Sequence, residues 1–420
     1  MSKIRIKNFG PIGDGYIEEG GWMDIRKATV LIGNQGSGKS TVAKLISTFT
    51  WIEKALVRGD YPQKWFERKN KLKNQYLPYH RLENYLKSSG DKQTEIQYIG
   101  EAYSISYQKG SLSIEEITHS SYPLPQIMYV PAERNFIAYV KSPKELKLSS
   151  PSLQEFLTEF DNAKNELRGP EPLPINSTAI EYDKLNDTLN LRGADYRLKL
   201  SEASSGFQSL VPLYLVSSHL ANSIVKNNGD NQNGKDQMTA DEMARFRKGV
   251  EEIWNNDSFT EEQRRLALSA LAAKFNKSAF INIVEEPEQN LFPDSQWEIL
   301  QSLLGFNNIS AGNKLILTTH SPYIISFLNI AILGHDLKNK IEDANRTSDL
   351  LPRLHEIVNK NSLISSADVV VYQLDEKDGT IRKLPAPTGI LTDKNQLNMK
   401  IREANQLFDA LLEIEEDLAI

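Results

Sequence analysis

The chain predicts an α/β fold, a core of buried strands and helices carrying an antiparallel β lobe and helical insertions. Three observations point there. Apolar runs at 28–32, 127–131, 280–284 and 315–318 are short and bounded, as strands covered on both faces are. The segments EIQYI and YSISY alternate apolar and polar residues, the period of strands with one wet face. Of 420 residues, 25% are charged and 40% hydrophobic, while glycine and proline number only 23 and 18, which excludes a disordered or collagenous chain. That length suits two or three structural units.

Residues 3 to 32 read as short strands and turns that close on the run at 28–32, and a glycine-rich loop follows at once. From Ser40 the sequence TVAKLISTFTWIEKAL has helical spacing, so a first core unit spans 1–50. A basic arm, helical in part, occupies 51–92. Antiparallel strands with a turn at Lys109 and Gly110, then the buried run at 127–131, make a unit of 93–134. Mixed amphipathic and loop character marks 135–179 as an insertion. Strands turning at Arg192 and Gly193, then an apolar helix, fill 180–225. In 226–278 the polar stretch KNNGDNQNGKDQ reads as a mobile loop ahead of two helices, each opened by a capping box, Thr239 with Glu242 and Thr260 with Gln263. The last unit, 279–420, holds the runs at 280–284 and 315–318, a strand-like VVVYQL and a final helix near 395–417.

Charge and composition exclude several function classes. The net charge of −6 means that any contact with nucleic acid has to come from a local patch. Cysteine is absent, and the six histidines, at 80, 119, 219, 320, 335 and 355, form no short ligand pair, which argues against zinc, disulfides and thiol chemistry. The opening MSKIRIKNFG carries no apolar leader, so a cytoplasmic location is expected. Two stretches free of charge, 203–225 and 315–335, are long enough to span a bilayer, yet Gln208, Pro212, His219, His320 and Asn329 within them are costly in lipid. Both are expected to be interior segments, with no membrane contact.

The chemistry concentrates at the ends of the apolar runs. Gly33, Asn34, Gln35, Gly36, Ser37, Gly38, Lys39 and Ser40 fit G-x-x-x-x-G-K-[ST] between an apolar run and a helix that continues through Thr41. Glycines there let backbone N–H groups converge on phosphate oxygens at a helix N-terminus, Lys39 neutralises the outer phosphates, and Ser40 can ligate magnesium. A phosphate cradle needs a carboxylate on a neighbouring strand end. The pair Glu285 and Glu286, closing the run at 280–284, supplies it, Glu285 on the metal side and Glu286 as the base that orients water. His320, ending the run at 315–318, is placed to hydrogen-bond the attacking water.

Together these residues resemble the ABC-type ATPases, in the branch that holds RecF, SMC and OLD-like proteins. The resemblance implies an ABC-type P-loop ATPase core that binds ATP and Mg2+ and closes as two copies around the nucleotide. Ser204-Ser205-Gly206-Phe207-Gln208, ahead of an apolar helical run, is similar to the family signature L-S-G-G-Q, departing from it at Ser204 and Phe207. It implies that Ser205, Gly206 and Gln208 cap nucleotide held by the other copy. Where the family places its Q-loop, a sensor of metal and water, Glu133 or Arg134 takes the glutamine's place. Asn290 to Pro293 resembles the D-loop at the dimer interface, and IRIKNFGPI the first strand, which would bring Lys7, Asn8 and Phe9 toward the base.

The wording IGNQGSGKSTVAKL, YVPAER, VEEPEQNLFP and TTHSPYI is most similar to stand-alone ATPase subunits of bacterial antiphage defence, those of the PARIS and Septu systems. A long heptad insertion of the SMC kind is absent, and the residues after His320 lack a Toprim acidic motif. The resemblance therefore implies a sensor and scaffold whose ATP-dependent dimer holds or releases a separate effector nuclease, Toprim type favoured over HNH, with an acidic phage protein as a trigger. A RecF-like ATPase of DNA repair or maintenance is the alternative.

Between Lys54 and Lys87 nine lysines and arginines interleave with Tyr61, Trp65, Phe66, Tyr76, Tyr79 and Tyr85. Three readings stay open: a solvated arm with its rings packed inward, a surface for an acidic partner, and a nucleic-acid surface. The acidic end, Glu413, Glu415, Glu416 and Asp417, reads as a solvated helix face.

Overall fold

The computed structural model describes residues 1–87, 92–117, 122–140, 150–229, 240–256, 259, 263–264, 267–268, 271, 275 and 277–418. His119, Thr239, Thr260 and residues 230–237 of the polar stretch lie outside the described residues.

The apolar runs form the middle of a seven-stranded sheet. β4 (Ala28–Gly33), β8 (Pro125–Val130), β13 (Ala279–Glu285), β14 (Lys314–Thr319) and β15 (Val369–Leu374) lie parallel in the order β15-β4-β14-β13-β8. On the β15 side the sheet continues through β16 (Thr380–Lys383), antiparallel to β15, to β2 (Gly15–Tyr16). Every residue of β4, β8 and β13 is buried, which is why these strands read as continuous apolar runs.

Alternation of side chains divides each strand between two cores. Val30, Ile32, Phe280, Val284, Leu315 and Leu317 point to one side, while Leu31, Ile281, Ile283 and Ile316 point to the other. Burying each such side chain contributes about 1.5–3 kcal/mol. On the first side pack α4 (Pro151–Glu166), α5 (Ser205–Gly229), α7 (Pro293–Asn308) and α8 (Pro322–Asp343), with a small antiparallel sheet of β9 (Glu171–Pro172), β10 (Ala179–Asp183), β11 (Thr188–Arg192) and β12 (Arg197–Lys199). On the second side packs α1 (Lys39–Arg58), and over it the lobe of β1 (Ser2–Lys7), β3 (Met23–Ile25), β5 (Glu95–Ile99), β6 (Tyr103–Gln108) and β7 (Ser111–Glu116), in the order β3-β1-β5-β6-β7. The hairpin between β6 and β7 turns at Lys109 and Gly110, both at positive φ.

Glu53 ties α1 to this lobe. Its buried carboxylate accepts from Ala102 N at 2.7 Å, Tyr103 N at 3.2 Å and the Tyr98 hydroxyl at 2.9 Å, and burial raises its pKa. The basic arm folds as α2 (Gln63–Phe66) and short helical turns, with Phe66, Tyr76 and His80 buried. Tyr61 stacks on Trp65, and Lys71 lies 3.5 Å from the centre of that indole ring.

Short α3 (Asn135–Tyr139), α6 (Ala240–Trp254), α9 (Thr347–Ile357) and α10 (Gln396–Leu418) complete the described helices. The two charge-free stretches become α5 and the β14–α8 unit, and among the described residues no helix is long and apolar enough to cross a membrane. The fold is α/β, with a P-loop core, an antiparallel lobe and helical insertions.

Candidate functional site

The glycine-rich loop joins β4 to α1 and takes the shape its glycines permit. Gly33 sits at φ 148°, where a Cβ would lie 2.4 Å from the Leu374 carbonyl oxygen, and Gly38, at φ 100°, caps α1. Any side chain at Gly33 would force β4 and β15 apart. No side chain caps α1, so its first N–H groups are left to a ligand. Lys39 is buried, and its ammonium donates to the carbonyls of Gly33 and Asn34, both at 2.9 Å. Burial lowers its pKa to about 8, against the pull of Glu286, Glu288 and Glu285. Asn34 donates to Glu376, 3.1 Å away, an acid just past β15 that no sequence motif singles out.

Two strands away, β13 ends on Glu285. Its Oε2 accepts from Ala132 N at 3.3 Å, and its Oε1 is buried with no hydrogen-bond partner among the described residues. A buried carboxylate oxygen in that condition is costly unless a cation completes it, so this carboxylate fits a magnesium ion. Glu286 takes φ 45°, a left-handed conformation rare outside glycine, which turns its carboxylate away from the strand line. Its N–H still donates to the Thr318 carbonyl at 2.9 Å, and its Oε1 lies 3.5 Å from His320 Nε2. Burial first, and Lys39 second, lower the His320 pKa, so the imidazole is neutral at pH 7.

Arg134 holds this corner together. It is fully buried, and its guanidinium donates to the carbonyls of Glu285 and Glu286, both at 2.6 Å, of Pro131 at 3.2 Å and of Ser209 at 3.0 Å. Burial lowers its pKa to about 10, which leaves it charged. One side chain thus ties the strand end of both acids to α5. Its neighbour Glu133 is exposed.

Glu288 is a third acid in the site that sequence reasoning misses. Its Oε1 accepts from His320 N at 2.7 Å, linking the turn after β13 to the turn after β14. The residue is half-buried, and the shielding of its carboxylate from water raises its pKa. The signal is present in the sequence as a glutamate three residues past Glu285, but the backbone contact that gives it a role is non-local. Behind Glu285 lies the phenol of Tyr129, kept neutral by burial and by that charge, and against Tyr129 packs the buried His80, with ring centres 4.6 Å apart. Burial holds the His80 pKa down at about 3.

Ser205 opens α5 and is exposed. Gly206 is buried against the segment after the acids, where a Cβ would stand 2.8 Å from the Asn290 carbonyl oxygen, and Asn290 donates to Ser209 Oγ at 3.2 Å. Gln208 turns back within its own chain, donating to the carbonyls of Ser201 and Ala203 at 3.1 Å. Phe9 is fully buried and packs on Tyr85, so it is not free to stack on a base; Asn8 donates to the Gln93 carbonyl.

The chain matches no family model and no curated protein. Among solved structures it is similar to the SMC head domain from Thermotoga maritima, at 11% identity and a TM-score of 0.33 over 92% of this chain and 98% of that one. It is also similar to an Smc head domain with an extended coiled coil bound to the C-terminal domain of ScpA, derived from Pyrococcus furiosus, at 11% identity and 0.32 over 98% and 100%. A nucleotide-free ATP-binding cassette from an ABC transporter gives 12% and 0.27 over 93% and 94%. Scores of that size leave the functional reading to the site geometry.

Proposed function

We propose that this chain binds and hydrolyses ATP as a pair of copies, and that it serves as sensor and scaffold for a separate effector nuclease in antiphage defence. The observation that carries the ATPase reading is the convergence of Lys39, Glu285, Glu286 and His320 at one end of the neighbouring parallel strands β4, β14 and β13. Lys39 leaves its two carbonyls to hold the outer phosphates, and Ser37, Gly38 and Thr41 supply the backbone around them. When bound, magnesium between Ser40 and Glu285 would neutralise phosphate charge. Glu286 accepts the proton of the attacking water, and neutral His320 fixes that water's orientation. Arg134 positions both acids through their carbonyls, while Glu133 is left for the sensor role.

Ser205, at the exposed start of α5, faces outward, where Gly206 and the N–H groups behind it suit a phosphate held by the other copy. Gln208 has to release its loop carbonyls to join them. Binding across two chains favours the closed pair only by the difference in affinity between closed and open forms, so hydrolysis reopens it. The defence role is supported by motif wording alone.

Phosphate release from ATP and Mg2+ by the purified chain tests the first part, and light scattering of Glu286→Gln carrying Leu407→Glu in the exposed final helix, expected at the monomer mass without ATP and at twice that mass with it, tests the pairing. A chain that neither binds nor cleaves ATP sinks the reading. Co-purification with a nuclease encoded next to this gene tests the defence role.

A further inference from the structure

α10 leaves the body of the protein beside the phosphate loop, where Arg402 still pairs with Asp393 at 2.6 Å, and its later side chains stand open to solvent. Gln396 N donates to Gln373 Oε1 at 2.8 Å on the strand next to β4, but from Ile401 to Glu415 every residue is exposed. Leu407, Phe408 and Leu411 are 69%, 62% and 64% exposed. At 100° per residue, Ile401, Ala404, Leu407, Phe408, Leu411 and Ile414 share an arc of about 140°, and Arg402, Asp409 and Glu413 lie opposite. Two charges interrupt the apolar arc, Lys400 near one end and Glu415 near the other.

The arc is symmetric about the point between Leu407 and Phe408. Lys400 mirrors Glu415, Ile401 mirrors Ile414, and Ala404 mirrors Leu411. A helix with that pattern is complementary to itself when turned end for end, so one surface serves both partners of a two-fold pair. A parallel pair would set Glu415 against Glu415 and Lys400 against Lys400. Those like-charge contacts within the arc are a repulsion the antiparallel pair avoids. Within one chain, among the described residues, Lys400 bonds only to exposed Glu403, 2.5 Å away, a contact cheaply exchanged.

We propose that α10 docks on α10 of a second copy of this chain, antiparallel, with Lys400 of each copy facing Glu415 of the other. This pairing needs no nucleotide, so it stands or falls apart from the ATPase reading.

The chain has no cysteine, so introduced ones report alone. Full-length Ala404→Cys and Leu411→Cys chains, distinguished by an affinity tag, are co-expressed and oxidised without nucleotide. The expected product is the mixed 404–411 disulfide. Same-site disulfides, or monomers by light scattering, overturn the proposal. Lys400→Glu and Glu415→Lys should each weaken nucleotide-free association on the order of tenfold, and the double exchange should restore it. A double exchange no tighter than either single variant also overturns it. Thermal melts of the exposed variants should match the parent, which separates lost docking from lost folding.

Discussion

The phosphate loop and the acid corner sit two strands apart in one sheet and are built in opposite ways. The loop is local: its shape comes from the glycines between Gly33 and Gly38, and its charge from the lysine next along. The corner is assembled from distant parts of the chain. Arg134 reaches it from after β8, Glu285, Glu286 and Glu288 from β13 and its turn, His320 from after β14, and Ser209 from α5. The loop should therefore fail one residue at a time, and the corner as a unit.

Substitutions can break that contrast in order of size. Lys39→Ala should abolish nucleotide binding, more than about 100-fold in affinity by isothermal titration, with little change in melting, since among the described residues the ammonium bonds only to loop carbonyls. Glu286→Gln should bind ATP normally and lose about 100- to 1000-fold in turnover, measured by phosphate release. Full activity in that variant would remove the base.

Arg134→Met should damage both fold and site. It strands the carbonyls of Ser209, Glu285 and Glu286 in the interior, at a cost of about 3 kcal/mol or more in a urea titration. Arg134→Lys should recover little, because one ammonium cannot span carbonyls on separate segments. Glu288→Ala should lower kcat about tenfold and leave nucleotide affinity within about twofold, because Glu288 holds the backbone of His320 rather than the ligand. Equal loss in affinity would mean that Glu288 touches nucleotide.

The smallest effect is in pH. Lys39 in the free protein loses its proton as pH rises through about 8, so nucleotide affinity should fall above that pH. The inflection should vanish in Lys39→Arg. Stability moves the other way. The unfolded lysine binds its proton up to its ordinary pKa, so between about 8 and that value the unfolded state holds more protons and folding strengthens with pH. A titration curve flat across that range would show that the ammonium is better solvated than its burial implies.

Much of the core is legible in the order of residues. β4, β8, β13 and β14 appear as the apolar runs at 28–32, 127–131, 280–284 and 315–318, since strands covered on both faces carry few polar residues to blur them. The loop, both acids and His320 are readable for a related reason: each follows its strand directly, so strand and site residue occur together in the chain. Glu288, Glu376 and His80 are illegible as contributors, and Arg134 is legible only as a position, because each acts through a contact with residues far along the chain. Motif position alone sets Arg134 against metal or water, whereas in the fold it grips carbonyls. The acidic end of α10 reads as a plain solvated face, and only the exposure of the whole helix reveals its apolar arc.

By itself the sequence determined the backbone chemistry of this protein, a glycine loop able to cradle phosphate and strands that end in carboxylates and an imidazole, because local sterics and burial periodicity are written into neighbouring residues. Tertiary structure alone decided which buried groups go unpartnered, which guanidinium aligns the acids and which apolar face is left open. Those depend on contacts between segments far apart in the chain, and no local pattern encodes them.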